Sequence, residues 1–196
     1  MKRIVVCLGI AAIFLVSLAT LIAQEKAQAP TYRDGDYWWY RFAGKIYELT
    51  IVAGKLKIYD PKPDQKIEVE GEQAEALSGL VAIGEPDKNL LQFPLFAGKE
   101  WHDQYDTGRQ SRPKKFGTAA VMKDVESRVS GIEAITTPAG SFRAFKIERK
   151  ETKRGREAMS GSVYYSPEAR SVVKYEYGFP GKATKVVELT KYGSGK

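Results

Sequence analysis

Cysteine and histidine are nearly absent, one of each in 196 residues, and that scarcity removes most ways a chain can do covalent or metal chemistry. Cys7 precedes a long apolar run instead of closing it, so it is badly placed to carry a lipid. Beyond it there is no disulfide, no thiolate nucleophile and no thiolate metal ligand. His102 has Asp103 beside it, which is one half of a base with an orienting carboxylate. No second histidine joins it, and no serine sits in a G-x-S-x-G elbow. An outward place on an edge strand is therefore expected for His102. The sequence implies no catalytic residue, no metal and no cofactor.

Acidic residues are the minority sign. Lys and Arg number 31 against 24 Asp and Glu, a formal charge of +7. Most of this excess survives removal of Lys2 and Arg3, which form a short basic head before an apolar, uncharged run from Ile4 to Ala23. That arrangement reads as an export signal over residues 1–23, with cleavage after Ala23. Ala27-Gln28-Ala29 is the better small-x-small match, but Pro30 follows it. Roughly 20 apolar residues also suffice to span a bilayer, so an uncleaved anchor stays open. Either way the rest faces outward, periplasmic or extracellular in a bacterium. Nucleic acid is excluded as a partner by that compartment, despite the charge. An exported domain without disulfides relies on its core, and about 170 residues are enough for one.

Long amphipathic helical patterns are scarce too, and period two takes their place. Residues 24–33 are small and polar and read as a linker, 34–192 as a single β-domain, and 193–196 as a tail. Strand patterns begin at Tyr37-Trp38-Trp39-Tyr40 and Lys45–Val52, then continue through Leu56, Ile58, Ile67 and Val69. Glu72–Val81 is the one short helical candidate, with Ala74, Leu77 and Val81 on one face. From Lys99 onward a meander is expected, with strands near 99–106, 121–136, 142–151, 156–166, 170–177 and 184–192. Gly131 shifts the parity of the second of these, as a β-bulge does, so that Ile132 and Ala134 continue its inward face. At Thr137-Pro138-Ala139-Gly140 proline presets the first corner of a tight turn and glycine takes φ > 0. The expected fold class is all-β: an antiparallel meander curled into a half-barrel or a two-layer sheet.

Gly35, Trp38 and Phe42 share their spacing with Gly98, Trp101 and Tyr105. This weak repeat places Trp38 and Trp101 in the core, with Tyr37 and Trp39 on the opposite face. If exposed, Tyr37 and Trp39 would form a stacking platform for a sugar ring or an apolar ligand. Asp34, Asp36, Asp103 and Asp106 lie near the two aromatic strand starts. Paired across a cleft, such acids hydrolyse glycosides; beside glycine, they are ordinarily turn residues.

Basic residues gather in loops. Arg109, Arg112, Lys114 and Lys115 occupy one turn, Lys153, Arg154 and Arg156 flank another, and Lys182 lies in a third, with Lys185 just after it. Alternate turns of a meander fall at one end of the sheet, so these cations are candidates for one anionic-surface patch.

Several phrases then stand in a familiar order. They are Phe93-Pro94-Leu95 with Gly98-Lys99-Glu100-Trp101, Pro138-Ala139-Gly140-Ser141-Phe142-Arg143-Ala144-Phe145, Tyr165-Ser166-Pro167-Glu168 and Val172-Val173-Lys174-Tyr175-Glu176. Over roughly residues 90–192 the order resembles exported bacterial proteins of a TapB-like domain-of-unknown-function family. Tyr164-Tyr165 stands where that pattern has a tryptophan-tyrosine pair. The resemblance implies an antiparallel β fold in the envelope and brings no catalytic residue.

The functional expectation is a non-enzymatic, exported envelope protein with an interaction or ligand-binding role. Its partner would be an envelope component, either an anionic lipid or polymer or an apolar small ligand. A carrier holding an apolar molecule in a concave sheet is the alternative, and a glycan hydrolase using the paired acids is the second.

Overall fold

Period-two sequence becomes strand wherever a partner can cover one face, and here nearly every such run finds one. The computed structural model describes residues 24–62, 65–69, 77–81, 90–106 and 122–195; the signal stretch and the 107–121 segment, with Arg109, Arg112, Lys114 and Lys115, lie outside the described residues. Its strands are β1 (Tyr37–Phe42), β2 (Lys45–Val52), β3 (Lys55–Lys62), β4 (Gln65–Glu68), β5 (Glu100–Asp106), β6 (Met122–Thr137), β7 (Gly140–Lys153), β8 (Arg156–Ser166), β9 (Ser171–Gly178) and β10 (Lys185–Gly193). They form one antiparallel sheet in the order β4-β3-β2-β1-β10-β9-β8-β7-β6-β5. Two meanders are thus joined where the first strand pairs with the last, Tyr40 opposite Leu189 and Phe42 opposite Val187.

The turn at Pro138-Ala139 joins the two longest strands. Gly140 has φ +136° there, and a Cβ built on it would meet nothing within 4 Å, so the position is restricted by backbone alone. Gly140→Val is expected to cost about 1–2 kcal/mol or more, because β-branched residues tolerate positive φ poorly. Identical urea midpoints for the two proteins would count against this turn.

The β6–β7 register slips between Val129 and Gly131, as the expected bulge requires. Beyond the bulge the hairpin curls back over the sheet: the Ala139 amide donates to the Leu189 carbonyl at 3.2 Å, and the Phe142 ring lies 5.7 Å from that of Tyr192. This curl changes which residues face inward near the tip. Ile132 packs on the core as expected, but Ala134 is exposed and Ile135 packs instead.

Nothing in a single sheet fills its own concave face, and here the chain between β4 and β5 does so. Leu77, Leu80, Val81, Leu90, Leu91 and Leu95 are buried against Trp38, Tyr40, Phe145 and Ile147. A helical turn remains at 77–78; Ala74 lies outside the described residues. The Leu80 carbonyl accepts from the Val172 amide at 3.1 Å and from Ser171 Oγ at 2.9 Å. Tyr40 Oη lies 2.6 Å from both Ser171 Oγ and the Val172 carbonyl oxygen, while Trp38 Nε1 donates to the Ala169 carbonyl at 2.7 Å. Burial pushes the Tyr40 hydroxyl far above its ordinary pKa.

The expected linker is instead part of the fold. Ala27 is buried and exchanges backbone hydrogen bonds with Leu95, and the Tyr32 ring stands edge-on to Trp38 at 5.4 Å. The expected tail is tied down as well, since Gly193 pairs with Tyr37 in the sheet.

Candidate functional site

Moving along the core face toward the turn at Arg154-Gly155, the lining changes from apolar to polar. On β6, Val129 is followed inward by Ser127 and Val125; on β7, Ile147 is followed by Arg149 and Glu151. Register places Trp101 opposite Ser127, Ser127 opposite Arg149, and Arg149 opposite Gly161, so the four form one row across β5 to β8. The row is closely covered. Trp101 is 9% exposed and Ser127 4%, and the Arg149 side chain is 9% exposed.

Four polar atoms of this row have no hydrogen-bond partner: Trp101 Nε1, Ser127 Oγ, and Nε and Nη1 of Arg149. The remaining Arg149 nitrogen comes only to 3.6 Å from Glu151 Oε1, while the other Glu151 oxygen lies 3.0 Å from Lys123 Nζ. Lys99, with its ammonium 5.6 Å from the Trp101 ring centre, donates to the Gln92 and Pro94 carbonyls. Burial holds its pKa below the ordinary lysine value. Asp103 accepts from Gln92 at 3.0 Å. The row therefore presents donors and positive charge.

The same strands form an open trough of about 1030 Å³, lined by Glu100, His102, Glu126, Arg128, Glu148 and Lys150 and, between them, by Trp101, Ser127 and Arg149 of the row. Apart from the row itself, these side chains are exposed and largely paired, Arg128 with Glu100 at 3.4 Å and Lys150 with Glu157 at 3.8 Å. His102 lies on the edge strand β5, exposed, with Nε2 3.7 Å from Asp124 Oδ1.

The acids near the aromatic strand starts are divided by the fold. Asp34 caps a turn, accepting from the Gly54 amide at 2.7 Å. Asp36 is fully buried and ion-paired with Arg170 at 2.8 Å. Neither faces a cleft with Asp103, and the Asp106 side chain lies outside the described residues. Tyr37 and Trp39 do lie opposite Trp38 and Tyr40, half-buried, with the Lys191 ammonium 4.8 Å from the Trp39 ring centre and 5.7 Å from that of Tyr37.

Topology brings the described basic turns to one end. The β7–β8 turn carries Lys153, Arg154 and Arg156, and the β9–β10 turn carries Lys182 and Lys185, all exposed. Because Phe42 pairs with Val187, the β1–β2 turn joins them and adds Arg41 and Lys45. At the other end the turns at 53–54, 138–139 and 167–170 bring few cations: Lys55, and Arg170, which is paired with Asp36.

Arg149 appears in the sequence as one more cation near a turn, and Ser127 and Glu151 pass unnoticed. A signal was present. All three fall at the inward parity set by Val125, Val129 and Ile147, where a polar residue is out of place.

Fold and sites together define an all-β protein of one open, internally filled sheet, with a basic end and a buried cationic row. No family model matches the sequence, and no curated protein matches it. Among solved structures it aligns with a candidate lipoprotein from Parabacteroides distasonis ATCC 8503 at 13% identity and TM-score 0.41, covering 87% of this chain and 100% of that one. It also aligns with a candidate exported protein of YmcC-like fold from Bacteroides fragilis NCTC 9343 at 12% identity and TM-score 0.33, covering 86% and 100%. Alignments at that level assign neither fold nor function.

Proposed function

We propose that this chain is an exported protein of the bacterial cell envelope with a non-catalytic binding role, its basic sheet end resting on an anionic lipid or polymer surface. Export is read from the basic head and apolar run of residues 1–23. The observation that carries the binding role is the asymmetry of the two sheet ends. Arg41, Lys45, Lys153, Arg154, Arg156, Lys182 and Lys185 are all exposed on turns or strand ends at one of them. The apolar-carrier alternative is the weaker reading, because leucines of the chain itself occupy the described concave face.

Each cation held near an anionic surface contributes roughly 1 kcal/mol, and the attraction decays within a Debye length of about 8–10 Å. Binding to anionic vesicles, followed by co-sedimentation, should weaken steeply with salt. Replacing Lys153, Arg154 and Arg156 by glutamine should weaken it roughly 100-fold at low salt. The same change at Lys26, Lys55 and Lys57 should do far less. Equal losses would reduce the patch to general positive charge, and no binding at low salt would remove the proposal.

A further inference from the structure

We propose that the buried row Trp101–Ser127–Arg149 is a binding site for an oxyanion, a phosphate or carboxylate group. Buried polar groups in folded proteins nearly always have a partner, so an unpartnered atom calls for a reason. Here four fall on three neighbouring strands in one register row. Such a cluster is an arrangement, since scattered packing defects would not share a row.

The chemistry of the missing partner follows from what the row offers. Trp101 Nε1 and the Arg149 nitrogens only donate, and the Ser127 hydroxyl can. The ion pair of Arg149 with Glu151 is long, at 3.6 Å, and the other Glu151 oxygen is engaged by Lys123 at 3.0 Å. Lys99 adds a second cation beside Trp101, and the nearby Asp103 is engaged by Gln92. A single water molecule accepts two hydrogen bonds, fewer than the four unpartnered atoms of the row can donate. An oxyanion supplies several acceptor lone pairs and a negative charge, and hydrogen bonds between ionised partners are the strong ones. The site stands on the core face and does not depend on the basic turns.

The test is thermal melting and calorimetric titration of the mature chain with inorganic phosphate, against chloride at equal ionic strength. Wild type should melt higher in phosphate, since a ligand held by the folded state alone stabilises it by mass action. Trp101→Phe and Ser127→Ala, each losing one donor to a charged group, should bind roughly 10-fold more weakly. Arg149→Met should lose the response altogether, because it removes the charged donor that faces the anion. If Arg149→Met does not fold, the other two variants carry the test.

A wild type indifferent to phosphate, or donor variants that respond as wild type does, would overturn the site. A short-chain, water-soluble phosphatidic acid titrated alongside distinguishes the source of the group. Tighter binding than inorganic phosphate identifies a lipid headgroup, weaker binding a free anion, and either supports the site. The Lys153, Arg154, Arg156 triple variant should keep its phosphate response, so this inference and the surface-binding proposal fail separately.

Discussion

Asp36→Ala should lower stability by about 3–5 kcal/mol, the cost of leaving a buried ion pair with one partner. Asp36 is 0% exposed. Its carboxylate accepts from the Arg33 amide at 2.8 Å, from the Gly195 amide at 3.3 Å and from Arg170 Nη1 at 2.8 Å. Arg170 in turn donates to the Thr31 carbonyl and to Ser194 Oγ, both at 2.9 Å. One carboxylate therefore ties the segment before β1, the β8–β9 turn and the end of the chain. Arg170 also has φ 54°, a backbone conformation that its contacts must hold in place.

Acid should have the same effect as the mutation. Burial works to raise the Asp36 pKa, but the Arg170 hydrogen bond and charge, with the two amides, outweigh it and leave the pKa below the ordinary aspartate value. A carboxyl whose folded pKa is depressed adds stability above its unfolded pKa of about 3.9, and loses it as pH falls through the folded value. Wild type should thus lose stability below about pH 4, and Asp36→Ala should lose less over the same range. Parallel pH profiles from urea melts would show that the carboxylate is not the group responsible.

Leu80→Ala should cost about 2–5 kcal/mol, the range for deleting a fully buried leucine side chain and leaving a cavity. Leu80 is 0% exposed, and its carbonyl holds β9 through Val172 and Ser171. The substitution leaves these backbone contacts in place and removes only the packing against the concave face. A loss under about 1 kcal/mol would mean that the filling chain lies loosely on the sheet, far below the usual cost of a core cavity. It would also return weight to an apolar ligand in that space.

Local patterning made most of the strands legible. The runs around Tyr37–Phe42, Phe145–Ile147 and Val173–Tyr177 alternate because one face of each is covered, and alternation is a property of neighbouring residues. The Gly131 bulge and the Pro138–Gly140 turn were legible for the same reason, since each is set by a few adjacent residues. The opposite facing of Trp38 and Trp39 followed from period two alone.

What depends on distant parts of the chain was not legible. Nothing local tells β1 to pair with β10, or tells Ala27 to bridge to Leu95, because each joins segments far apart in sequence. Ala134 was misplaced because the β6–β7 tip curls over β10, and the curl is a property of the whole sheet. Asp36 could be read as a turn residue, but not as the buried partner of Arg170, which lies 134 positions away. The row of Trp101, Ser127 and Arg149 is the sharpest case. Parity alone puts each side chain on the core face, but only the register of β5, β6 and β7 makes them neighbours, and register is set by long-range packing.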